Sequence, residues 1–222
     1  MYFQEDTVLR MIEMLGAAFR RLIQMLNDME ADAALGEAYK QFIGMDRTTA
    51  EGISTEALID MVGPDRRMAL CELLVMETTR FAHRFDEDEL QRMRHRALLL
   101  LCSIEDEEIA RLRADRAREL LDGCFELCES RETLMIVRFF LLGGAYAQAE
   151  DALFAQMGAF SRAEDWRCVA QAGDWLYAAL AAVPDEKLLA GNLPREEVAQ
   201  GHEALTSWAA AHGVPMNGEG AS

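Results

Sequence analysis

Four histidines, a pair of cysteines and several acidic runs are the residues of this chain whose types suit chemistry. Metal-assisted catalysis on helices needs partners at fixed spacing, such as His-Glu-x-x-His or a glutamate three residues from a histidine. His83, His95, His202 and His212 meet neither pattern, and His83 and His95 stand among arginines, where they read as exposed structural residues. Cys124 and Cys128 are four apart, so a single helix would turn both thiols the same way. Two soft ligands do not hold zinc, and the sequence names no third or fourth. Glu105-Asp106-Glu107-Glu108 and the pair Asp86 and Glu89 lack the spacing of a calcium loop and fall where helix starts favour negative charge. Gly143-Gly144 and Gly191 make no phosphate-cradling pattern, no Gly-x-Ser-x-Gly elbow occurs, and the few serines and threonines have no neighbouring histidine to activate them. The expectation is no catalytic residue, no metal site and no cofactor.

Composition narrows the partners. The chain has 222 residues, with 22 basic against 39 acidic, a net charge of −17 spread along its length. Such a surface repels phosphate backbones and anionic lipid, so neither a nucleic acid nor a membrane is expected as partner. The longest strongly apolar run, Ala97 to Cys102, is far short of the ~20 residues a membrane span requires. The five cysteines are odd in number and scattered, as reduced thiols are, and the opening residues are acidic where a signal peptide needs a basic lead. A cytoplasmic location is expected.

The elements that would position any site are helices. Ala, Leu, Met, Glu and Arg abound and only 4 prolines occur. Over 5–29, Val8, Ile12, Leu15, Phe19, Leu22, Ile23 and Leu26 share one face of a 3.6-residue period. A shorter helix follows over 33–43, and Ser54-Thr55-Glu56 opens another that Gly63-Pro64 closes. Pro64 starts a helix to about residue 84, Asp86 with Glu89 caps the next, and acids at 105–108 open a further one. Beyond Thr133 the pattern is hairpins: 133–142, a break at Gly143-Gly144, 148–157, 163–172, a second break at Gly173-Asp174, 175–182, and a last helix over 195–211. The expected organisation is an N-terminal helical segment over 1–62, a helical-hairpin region over 63–212, and a flexible tail over 213–222. The fold class is all-α, a helical bundle passing into an α-solenoid-like arrangement.

Two stretches, Gly144-x-Tyr146-x-x-Ala149 and Gly173-x-Trp175-x-x-Ala178, resemble the second half of a tetratricopeptide repeat, although they lie 29 residues apart. Counted back in that register, Arg138 and Arg167 take one inward-facing position of successive helices. The resemblance implies a concave groove where two guanidinium groups could fork an acidic peptide segment. Separately, Phe3-Gln4-Glu5-Asp6 running on to Arg10-Met11-Ile12-Glu13 resembles the start of a bacterial family of unknown function. That resemblance covers the first helix and implies a cytoplasmic bacterial protein without naming a chemistry. The expected function is non-enzymatic binding of a protein or peptide partner, or self-association as a homo-oligomer. The alternative is an enzyme or small-molecule binder with its site in a helical cleft.

Overall fold

The computed structural model describes residues 2–216, with side chains from Val8 onward. Among the described residues there are twelve α-helices and no strand. They are α1 Tyr2–Gln24, α2 Asp28–Phe42, α3 Arg47–Gly52, α4 Thr55–Met61, α5 Pro64–Arg80, α6 Glu87–Cys102, α7 Glu107–Cys124, α8 Thr133–Leu142, α9 Tyr146–Ala159, α10 Ala163–Ala181, α11 Asp185–Ala190 and α12 Arg195–Ala211. No helix of the described residues is long and apolar enough to cross a membrane.

Local signals set most of the boundaries. Asp86 accepts from the Glu89 amide while Glu89 accepts from the Asp86 amide, a reciprocal capping box opening α6. Ser54 and Asp106 cap α4 and α7 in the same way as their sequence positions suggest, and Pro64 takes the first turn of α5, where its missing N–H costs nothing.

The chain divides into two compact units, Met1–Ile109 with Glu119–Leu127, and Ala110–Arg118 with Cys128–Ser222. In the first, α5 packs against α1, α2 and α6, so Gly63-Pro64 lies inside this unit. Residues Ala97 to Cys102 are buried at every position, which accounts for an apolar run with no polar face. Arg96 reaches the carbonyls of Ala50 and Ile53 at 2.6 and 2.7 Å, a cation at the negative end of α3. Arg67 does the same at the end of α6, 2.8 Å from the Ser103 carbonyl.

In the second unit, α8 and α9 form the expected hairpin. Gly144 turns the chain at φ +73°, and a side chain at Gly143 would strike the Ala110 backbone at 2.8 Å. Tyr146 and Ala149 are buried behind the turn. The second expected hairpin does not exist: α10 runs unbroken through Gly173 and Trp175 to Ala181. Gly173 serves packing instead of turning, since a Cβ there would lie 2.5 Å from Leu205 and 3.2 Å from Leu153. Close approach of neighbouring side chains to α10 demands the missing side chain, and the helical hydrogen bonds on either side absorb the propensity cost.

The expected loose tail is also corrected at its start. Gly213 takes φ +67°, Val214 donates to the Ala209 carbonyl at 2.9 Å, and Val214 and Met216 are buried. The His212 ring lies between Trp166 and Trp208, with centroids 4.5 and 4.8 Å away. Residues 217–222 of that expectation lie outside the described residues.

Candidate interaction surface

The periodicity of α1 splits into two lines once it is folded. Val8, Leu15 and Leu22 are buried, whereas the neighbouring stripe Leu9, Ile12, Gly16, Phe19 and Ile23 ranges from half-buried to exposed. The helix ends at Gln24, earlier than its apolar pattern suggests, because Asn27 begins the next one: its side chain accepts from the Met29 amide at 2.9 Å. Leu26 is therefore left in the turn with its side chain 100% exposed, and Met29 at the start of α2 is 81% exposed. With Ile23 they form an apolar corner.

That corner is tied to α5 and the turn after it by hydrogen bonds and ion pairs. Arg80 donates to the Met25 carbonyl at 3.0 Å and pairs with Asp28 at 2.7 Å. His83 meets the same carboxylate at 2.9 Å, and Arg84 joins Asp32 at 2.9 Å. The Arg80 hydrogen bond, aided by His83, holds the Asp28 carboxyl below the ordinary carboxylate range. His83 is exposed, as its place among arginines suggests. On the other flank of α1, Arg10, Met11 and Met14 border a cleft of about 310 Å³ with Gln41 and Phe42 of α2.

Two carboxyls with raised pKa sit in pairs with tyrosines that link helices. In the first unit the Glu77 carboxylate is 1% exposed; it accepts from Tyr39 at 3.3 Å and pairs with Arg47, which also holds Asp32 and Glu51. Burial pushes Glu77 upward against the pull of Arg47. In the second unit Tyr177 donates to Glu150 at 2.6 Å, and burial again raises the carboxyl. His202 stacks on Tyr177 with centroids 5.2 Å apart. Both pairs join helices through groups whose hydrogen bonds are directed at each other.

The other residues singled out by sequence fall as follows. His95 is half-buried in α6 instead of exposed. Cys124 ends α7, its thiol donating to the Leu120 carbonyl at 3.0 Å, and Cys128 lies beyond a short 3-10 turn, so the two do not share a helix. Arg138 and Arg167 are both exposed. Arg138 covers the ring of Trp175 at 5.5 Å, and Trp175 is 36% exposed where the repeat pattern expects burial. Because α10 has no turn at Gly173, the register that set Arg138 and Arg167 at equivalent positions loses its second anchor. Sequence reasoning missed the corner; the signal was Asn27 ahead of the acidic turn Asp28-Met29-Glu30, a helix start that fixes where α1 must stop.

No curated protein and no solved structure matches the chain. The resemblance carried by the opening residues extends across almost the whole sequence: the model for a family of unknown function (DUF6483) matches residues 2–209, and the chain belongs to that family.

Proposed function

We propose that this protein works by binding another protein chain through the apolar corner of α1 and α2, and not by catalysis. The observation that carries the reading is Leu26: a large apolar side chain, wholly exposed, on a turn whose backbone is fastened by Arg80 and Asn27. A scattered exposed leucine needs no explanation, but three apolar residues gathered on a rigid corner match the anchors of protein interfaces. Rigidity matters because an anchor held in place loses little entropy on docking. The small-molecule alternative has less support. Among the described residues lining the α1 cleft only Arg10 is titratable, and Glu77 and Glu150 already face their own partners.

The test is a triple variant, Ile23→Ser, Leu26→Ser and Met29→Ser, compared with wild type by gel filtration of a native extract. The wild type is expected above the mass of a single chain and the variant at that mass, with similar melting temperatures. Equal elution of the two would overturn the reading.

A further inference from the structure

Leu9, Ile12, Gly16, Phe19 and Ile23 step by three and four residues alternately, which is the spacing of a coiled-coil seam, and Leu26 follows in the turn just beyond the helix end. The seam borders the buried line of Val8, Leu15 and Leu22 on its solvent side, so half of a helix–helix interface stands open. Its outer border carries Glu13 and Arg20, both exposed and without an ion pair among the described residues.

We infer that this seam is a homodimer interface in which α1 lies antiparallel to α1 of a second copy. The inference rests on the protein-binding reading above and names the partner. Centred between residues 16 and 19, the antiparallel register sets Gly16 opposite Phe19 of the second copy, and Phe19 opposite Gly16. The bare glycine is a hole for the ring, covered among the described residues by the flexible end of Arg20, 3.5 Å from where a Cβ would stand. The same register brings Ile12 to Ile23 and Glu13 beside Arg20, each twice by symmetry, and sets Leu9 toward the end of α1 that leads into Leu26. A parallel pairing would set Gly16 on Gly16, leaving a void, and would put the Glu13 and Arg20 edges of the two copies on opposite sides of the seam, so that neither charge meets its complement. Size and charge therefore both select a second copy, and both select one orientation.

Light scattering of the full chain at micromolar concentration tests this. The wild type is expected at twice the 24.9 kDa chain mass. Glu13→Arg and Arg20→Glu should each weaken self-association about tenfold or more, by setting like charges together. An equimolar mixture of the two should regain the dimer, because each copy supplies the charge the other lacks. Gly16→Leu should also dissociate the dimer by filling the hole, and circular dichroism checks that every variant remains helical. A monomeric wild type overturns the homodimer; if a photo-crosslinker at position 26 then joins a different protein, the binding reading survives, and if it joins nothing, both fail. A dimer indifferent to all three substitutions overturns the antiparallel seam.

Discussion

Tyr177 and Glu150 meet at 2.6 Å across the bare backbone of Gly201, where any side chain would collide with both the phenol oxygen and the carboxylate. Gly201 lies within α12, a position where alanine ordinarily stabilises a helix by up to about 1 kcal/mol. Here the sign should reverse. Gly201→Ala is expected to cost ~1–3 kcal/mol by forcing the pair apart, measured by urea denaturation; a stabilised variant would show that the contact is not tight.

The same pair gives a pH dependence. Burial raises the Glu150 carboxyl above its usual value, so the folded state holds its proton more firmly than the unfolded chain does. Its contribution is fully present below the ordinary carboxylate range and is lost as pH rises through the raised value. Glu150→Gln keeps an acceptor for Tyr177 without ionising. Melting scans from about pH 4 to about pH 8 should find the variant gaining on wild type as pH rises, and a constant difference would contradict this.

Glu77, almost wholly buried, depends on Arg47 for compensation. Arg47→Met should destabilise the fold by ~3 kcal/mol or more, since it strands a charge in the interior. Adding Glu77→Leu to that variant should recover much of the loss. A double variant worse than the single one would mean that the network as a whole, including Tyr39, is held by Glu77.

Gln156 is 2% exposed, and neither its amide nitrogen nor its oxygen has a hydrogen-bond partner among the described residues. Orphaned polar atoms of this kind cost ~1–3 kcal/mol. Gln156→Met, similar in volume and without those polar atoms, should raise the melting temperature. A lower melting temperature would show that the amide is bonded in solution.

These residues also mark how far the sequence could be read. Features decided within one turn of chain were legible: the Asp86–Glu89 capping box, the Ser54 and Asp106 caps, Pro64 at a helix start, and the Gly144 turn. Features decided by contacts distant in sequence were not. Gly173 looks like Gly144 in local pattern, and only Leu205 and Leu153 reveal it as a packing position within α10. Glu77 and Glu150 resemble any surface acid in a chain with 39 acidic residues, because burial leaves no local trace. The apolar pattern of α1 runs on through Leu26 and masks the helix end at Gln24, so a residue read as part of the helix's apolar face belongs to the exposed corner.

The corner is where the account of function stands or falls, and a photo-crosslinking side chain in place of Leu26 tests it most directly in living cells. Irradiation should convert the protein into one discrete covalent adduct with a protein chain, absent when the crosslinker replaces the exposed Glu186 instead. Recovery of the uncrosslinked chain alone from both positions would contradict the claim that this corner binds protein.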